Sequence, residues 1–555
     1  MSVQSVDWLA IAPVALTCAT ALAVLLLQAL LPARANPAGP DRATSRPAPA
    51  TAALSATRTT GGPSPAETGS ILPGTLDGAR PGRGIDPHER RGRNRLLDGV
   101  TLAGLALAAI SLLPALRAAP TQTFCTAGGC SFASGGVLTG LQLITLVAAA
   151  VIVLLAVEDP VVAESSLSRH EFWVLLLAAT AGTLAVIASR DLLTLVVALE
   201  TASLPVIGLV GAARTPTAAL AATRLLMVSV ASFGLTLLGV ALLYAATGTV
   251  YLDAMRAGGT GATTATPVVS LLAVSLIVVG VGYKVAALPF GLWAPDVYPA
   301  TSLPVATYLS TVSKVAGVAA AALVVVKVVP DWATGPDGLG AGDGLAWLAV
   351  LAGVTMTLAN IVALTRRGVL ALLAWSTIAQ AGWALLPLTA PGAREVLLGA
   401  VGTYLIAYVA ASLAVFAVVV LVSRHHRAGQ LHTIDDEAGL LRTEPVAAVV
   451  LVLGLFSLAG LPPGVAGLVA KVVALRPVVE GAGPLGSGAI GWVIAVVAAV
   501  NVAIALAYYL RWIWIVVNAS EHPAPTWRVR LGEGSALCLA AAILIVITIL
   551  PGVML

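Results

Sequence analysis

The sequence predicts an all-α polytopic membrane protein of about fourteen transmembrane helices, and three observations carry that reading. Of the 555 residues, 58% are hydrophobic and only 10% charged, whereas a soluble domain carries about a quarter charged residues. The apolar residues gather in runs near the roughly 20 residues that a bilayer-crossing helix needs. Those runs are continuously apolar and do not alternate, which argues against a β-barrel.

The first run, 8–32 within segment 1–33, is too long for a cleavable signal peptide, and Asp7 precedes it where a basic cluster would be needed. It is expected to stay as transmembrane helix one. The connection 34–96 carries ten arginines, among them Arg90, Arg91, Arg93 and Arg95. By the positive-inside rule it lies in the cytoplasm and the N-terminus lies outside. Its stretch 39–70 is rich in Pro, Ala, Ser and Thr with no apolar period, so a largely disordered linker is expected. Nothing in it indicates an enzyme domain or a nucleic-acid patch.

Runs 97–117 and 137–157, together 97–157, flank the outside loop TFCTAGGCSF with Cys125 and Cys130. Thiols there can oxidise, and a disulfide is expected; zinc is the weaker alternative, because no histidine is near. Cys18 and Cys538, inside apolar runs, read as small core residues.

Five runs follow within 171–328: 171–188, 191–212, 219–246, 268–290 and 303–328. Five more fill 344–517: 344–364, 368–390, 395–422, 444–475 and 489–517. The last, 534–554, lies in segment 534–555. Arg366, Arg367, Arg424, Arg427, Arg528 and Arg530 then fall on the cytoplasmic side, and the C-terminus returns to the outside.

The chain has four lysines, and three of them, Lys284, Lys314 and Lys471, lie well inside apolar runs. Lys327 sits at a run's end, where its stem can snorkel. A charge at mid-bilayer costs at least about 2.5–3.5 kcal/mol on insertion scales, so the three need a reason. An amine held out of water can lose and regain a proton near physiological pH, which is the chemistry of a proton relay. Glu200, nine residues into its run, is the fourth intramembrane charge. Arg224, on the next run, reads as a fixed counter-charge to it. Plainer readings stand beside these: Lys314 and Lys471 as structural cations tied to backbone carbonyls, and Arg224 as a snorkelling anchor. Asp191 and Asp296, at run edges, read as caps or interfacial groups.

Pro289 follows Lys284 by five residues, and Pro462 and Pro463 precede Lys471 in a run too long for one straight span. Broken backbone is tolerated in a membrane where protein buries it or where it lines a wet cavity. The two lysines take matching places if 171–328 and 344–517 are repeats, helices four to eight and nine to thirteen. Helices seven and twelve are then the broken ones. Five helices per repeat make the second inverted, and broken helices at corresponding places in inverted repeats point to an ion path near the midplane.

The segments ASRDLLTLVVALETASLPVIGLVG, GYKVAALPFGLWAPDVYPATSLPVATYLSTVSKVAG, LLAWSTIAQAGW, YLIAYVAASLAVF and LFSLAGLPPGVAGLVAK together resemble the antiporter-like N subunit of bacterial NADH–quinone oxidoreductase, complex I. The resemblance runs over about 170–515. It implies that Glu200, Lys284, Lys314 and Lys471 match the family's axis of proton-carrying residues. It implies that this chain binds no cofactor, with FMN, iron–sulfur clusters and quinone handled elsewhere in the parent complex. The partners it implies are M-, K- and J-type membrane subunits and membrane lipids, with no nucleic acid, in a bacterial cell membrane. Three departures stand out: Arg224 where the family has lysine, and Gly291 and Gln380 where it has histidine. Arginine does not release a proton in a protein, so a leaner relay with water bridging longer gaps is expected. Two other readings remain open, a subunit of a multi-subunit cation/proton antiporter and a structural spacer that has lost transport.

Overall fold

The computed structural model describes residues 6–30, 87–256, 267–328, 346–390, 394–424, 432–482, 489–518 and 529–554. The expected disordered stretch 39–70, with Arg427 and Arg528, lies outside the described residues.

The chain begins with α1 (Trp8–Leu30), α2 (Pro87–Ser111) and α3 (Val137–Ala156). The first five-helix set comprises α4 (Arg169–Ala188), α5 (Leu192–Gly211), α6 (Pro216–Thr247), α7 (Pro267–Val285) and the pair α8 (Leu303–Ser310) and α9 (Val312–Val328). The second comprises α10 (Ala346–Thr365), α11 (Val369–Leu385), α12 (Arg394–Ser423), the pair α13 (Pro445–Ala459) and α14 (Val465–Ala482), and α15 (Ala489–Val517). Helix α16 (Leu531–Ile549) follows. Twelve described segments are long and apolar enough to cross a membrane. The other two expected runs are α2, whose first half is charged, and the broken pair α13 and α14. The polytopic all-α class is therefore the one expected from the sequence.

The expected boundary at 97 is corrected: α2 begins ten residues earlier, with Pro87 as its first helical residue. Proline suits that position because its missing N–H would have no intrahelical partner there. The arginine-rich end of the connection is thus a helix start.

Between α2 and α3 the loop forms a hairpin, β1 (Thr121–Thr126) and β2 (Gly129–Ser134), in which Cys125 and Cys130 are paired across the strands and joined by a disulfide. The backbone N–H of Asp7 donates to Thr123 Oγ1 at 2.9 Å, and Thr126 Oγ1 donates to Tyr251 Oη at 2.9 Å. The hairpin thereby seals the start of α1 against the end of the α6 connection.

The two five-helix sets repeat their pairings. Helix α4 packs on α5, α6 on α7, α7 on α9 and α4 on α9; in the same way α10 packs on α11, α12 on α13 and α14, both of these on α15, and α10 on α15. The sets meet where α9 lies against α12. Every residue of the best apolar window of Leu303–Val328 is buried, against 28% for α1 and 33% for α16, so α8 and α9 form the interior and the end helices face outward. Cys18 and Cys538 accordingly are exposed on α1 and α16 and are not core residues. An apolar residue on a peripheral membrane helix meets lipid instead of protein, and hydropathy cannot tell the two apart.

Among the described residues, three of the spans are broken. Helix α7 stops at Val285, Ala286 takes φ 60°, the Leu288–Pro289 peptide is cis, and a 3₁₀ turn Phe290–Trp293 follows. Pro289 therefore lies past the helix end and not within a kinked helix. The break in the second set runs from Gly460, left-handed at φ 80°, through the cis Pro462–Pro463 peptide to Val465. A third break, between α8 and α9 at Thr311 (φ −109°, ψ −83°), was not expected, since no proline or glycine marks it.

Candidate functional site

Lys284 lies in the last turn of α7 and is 5% exposed. Its Nζ donates to Ser203 Oγ on α5 at 2.5 Å. Ser203 Oγ also accepts from Tyr283 Oη at 2.9 Å, and Tyr283 Oη and Ser229 Oγ on α6 share a hydrogen bond of 2.8 Å. The break is pinned to this turn by Trp293, whose Nε1 donates to the Tyr283 carbonyl at 2.9 Å. It is pinned to the second set by the Leu288 N–H, which donates to Thr355 Oγ1 on α10 at 3.1 Å.

Glu200 sits one turn before Ser203 on α5. With Tyr283, Lys284 and Thr236 it lines a cavity of about 10 Å³, room for about one water. A second cavity of the same size is also lined by Tyr283 and Lys284 and reaches Ser313, the neighbour of Lys314. Helix α9 comes this close because residue 317 is glycine. A Cβ there would lie 2.7 Å from both the carbonyl carbon of Lys284 and the nitrogen of Val285.

Lys314 is 1% exposed, in the first turn after the Thr311 break. Its Nζ donates to the Thr377 carbonyl on α11 and lies 5.4 Å from the centre of the Tyr408 ring. Ser310 Oγ bonds Thr377 Oγ1 and Tyr408 Oη, each at 3.1 Å, and Tyr408 Oη also donates to the Ser310 carbonyl at 2.9 Å. The break thus turns a helix carbonyl into an acceptor for a side chain.

Lys471 is 6% exposed on α14. Its Nζ donates to the carbonyls of Leu458 at 3.0 Å and Ala459 at 2.7 Å. These belong to the last turn of α13, where carbonyls lack helical partners and carry the negative end of the helix dipole. Gln380 Nε2 donates to the same Leu458 carbonyl at 3.1 Å and to Tyr509 Oη at 3.3 Å, while Tyr404 Oη donates to Gln380 Oε1. Tyr509 Oη bonds Ser376 Oγ at 2.5 Å. Ser376 and Thr377 are neighbours on α11, so one helix carries both the cluster around Lys314 and the cluster around Lys471. Tyrosines thus flank the Gln380 amide on both its nitrogen and its oxygen. At Gly291, a Cβ would run into the Ala286 carbonyl, so this turn as built has no room for a side chain.

Arg224 is also corrected. It pairs with Asp296 at 2.7 Å, both side chains more than half exposed (54% and 56%), and not with Glu200. Helix α6 packs on the short helix Ala294–Val297 that follows the α7 break, which brings the two together. Asp191 caps α5 by accepting from the Thr194 N–H at 2.8 Å.

The hydroxyl groups of Ser203, Ser310, Tyr404, Tyr408 and Tyr509 were not singled out from the sequence. A signal was present: Tyr404 and Tyr408, and likewise Ser376 and Gln380, stand four apart in apolar runs and so share a helix face.

Residues 189–500 match the family described as NADH:quinone oxidoreductase/Mrp antiporter, transmembrane. A Streptomyces griseus protein named NADH-quinone oxidoreductase subunit N 2 is 37% identical over 539 residues, covering 94% of this chain and 85% of its own. A Salinispora tropica protein named NADH-quinone oxidoreductase subunit N is 41% identical over 413 residues, 73% of this chain and 76% of its own. A chain of respiratory complex I from Thermus thermophilus with bound aureothin superposes with a TM-score of 0.68 at 25% identity, over 97% of both chains. A chain of the Mrp complex from Dietzia sp. shares the fold, with a TM-score of 0.66 at 20% identity over 84% of this chain and 91% of that one. By its helices, its family match and its curated relatives, the chain belongs to the NADH:quinone oxidoreductase/Mrp antiporter family of transmembrane subunits, in its N-subunit branch.

Proposed function

We infer that this chain is the proton-translocating N-type membrane-arm subunit of a bacterial NADH–quinone oxidoreductase. The observation that carries the inference is the bonding of the three buried lysines. Among the described residues, Lys284, Lys314 and Lys471 take part in no ion pair within 4 Å, and each donates to neutral hydroxyl or carbonyl oxygens. A carboxylate partner would fix the ammonium as half of a buried ion pair and would itself be left as an unpaired buried charge whenever the proton departed. Hydroxyls and carbonyls hold the ammonium and release the amine, so the same partners serve both protonation states.

The route this supports runs from Glu200 through one small cavity to Lys284, through the second to Ser313 and Lys314, and by Thr377, Ser376, Tyr509 and Gln380 to Lys471. Chemistry with FMN, iron–sulfur clusters and quinone belongs to other subunits of the parent complex, and this chain's residues have only to hold and pass protons. Neighbouring M-, K- and J-type subunits, a bacterial plasma membrane and extracytoplasmic termini complete the reading; the arginines of the 34–96 connection support that orientation.

The test is to tag the chain, extract it in mild detergent and identify its bound partners by mass spectrometry. Peripheral redox subunits recovered with other membrane-arm subunits are expected. Recovery of antiporter-type partners alone would transfer the function to cation/proton exchange.

A further inference from the structure

Where α1 finishes and α2 begins, a cavity of about 590 Å³ opens among Gln28, Arg93, Glu164, Arg169, His170 and Arg214. Its walls are fixed. Arg169 forks onto Asp98 at 2.8 and 2.9 Å and donates to the Val157 carbonyl at 2.6 Å, so its charge is already matched. The Ser166 N–H donates to the Ala212 carbonyl at 2.9 Å, which ties segment 162–168 to the turn after α5. Ser168 and Glu171 close a capping box on the start of α4, so that helix end is already satisfied.

What remains is unmatched positive charge. Among the described residues, Arg93 and Arg214 form no ion pair, and Glu164 is the only carboxylate among the lining residues. Among the described residues, two buried lining atoms find no partner: the donor Nε of Arg93 and the acceptor Oε1 of Gln28. The planar guanidinium fork matches phosphate oxygens, and the volume lies in the range of about 300–1,000 Å³ that holds small ligands. The cavity also sits at helix ends, the level of a membrane interface. Leu30 at 76% and Leu96 at 46% exposure stand beside it on α1 and α2, an apolar surface of the kind acyl chains cover.

We propose that this cavity binds the phosphodiester headgroup of an anionic phospholipid, with Arg93 and Arg214 holding the phosphate and Gln28 accepting from a headgroup hydroxyl. Basic pockets between helices at a membrane face suit such headgroups. The lipid would clamp α1 and α2 onto α4. This rests on the membrane fold and not on the proton route.

The test uses the intact complex in nanodiscs of phosphatidylcholine with a photoactivatable phosphatidylglycerol, its adducts mapped by peptide mass spectrometry. Adducts are expected within 93–97 or 162–170, and Arg93→Gln with Arg214→Gln should lower them at least about tenfold, since each charge-assisted contact alone is worth about that factor or more. Glu164→Gln should raise them. Undiminished labelling in the double variant, or equal labelling by a phosphatidylcholine probe, overturns the proposal. Displacement by millimolar inorganic phosphate assigns the cavity to free phosphate and overturns the lipid source. If the double variant does not assemble, the Glu164→Gln arm decides, and labelling that fails to rise overturns the proposal.

Discussion

Lys471 and Gln380 meet on one atom, the carbonyl oxygen of Leu458, at 3.0 and 3.1 Å. That carbonyl is free because α13 ends at Ala459. The helix break, the buried amine and the Gln380 amide are thus parts of one junction.

Gln380→Leu removes the donor to Leu458 and the acceptor of Tyr404. Each buried polar group left without a partner costs about 1–3 kcal/mol, so the complex should melt earlier and pump less. Gln380→His, which keeps a donor, should lose less of both. Equal melting temperature and pumping in Gln380→Leu would remove Gln380 from the route.

Lys284→Ala should leave the complex assembled with quinone reduction measurable, while proton pumping falls steeply. A positioned proton-transfer group contributes about 10²–10⁴-fold. Lys284→Arg keeps the charge but cannot release it, and should pump as poorly. Dye quenching in proteoliposomes, read beside quinone reductase turnover, separates the two effects. Wild-type pumping in both variants would exclude the relay role.

Arg224→Lys should preserve assembly and change pumping by no more than about twofold. Its pairing with Asp296 is more than half exposed, and exposed pairs contribute about 0–1 kcal/mol. A collapse of pumping in that variant would restore Arg224 to the site.

Gly317→Ala should displace the end of α7, since the new Cβ meets backbone at 2.7 Å. Overpacking of this kind costs about 1–3 kcal/mol. The expected result is a lower melting temperature together with impaired pumping, and an unchanged variant would show that α9 does not hold Lys284 in place.

Thiol labelling of the unfolded, non-reduced chain should find Cys18 and Cys538 only, and all four cysteines after reduction. Four reactive thiols before reduction would show the hairpin to be reduced.

The sequence by itself determined the membrane class, the places of the spans and the rarity of the charges within them. A lysine in an apolar run stands out because its desolvation cost is local and large. Proline and glycine gave away the breaks before Lys471 and after Lys284 for the same reason, since they act on their own backbone. The Thr311 break carried no such mark. Tyr404 and Tyr408 showed only that they share a helix face, and Tyr509 not even that: a tyrosine in an apolar run reads alike whether it faces lipid or a lysine. The pairing of Arg224 with Asp296, 72 residues apart in sequence, also lay beyond a linear reading. Only the tertiary structure decided which hydroxyls and carbonyls each lysine meets. Those partnerships depend on the rotation of each helix about its axis and on what packs against it, whereas hydropathy sums over a helix without regard to its faces.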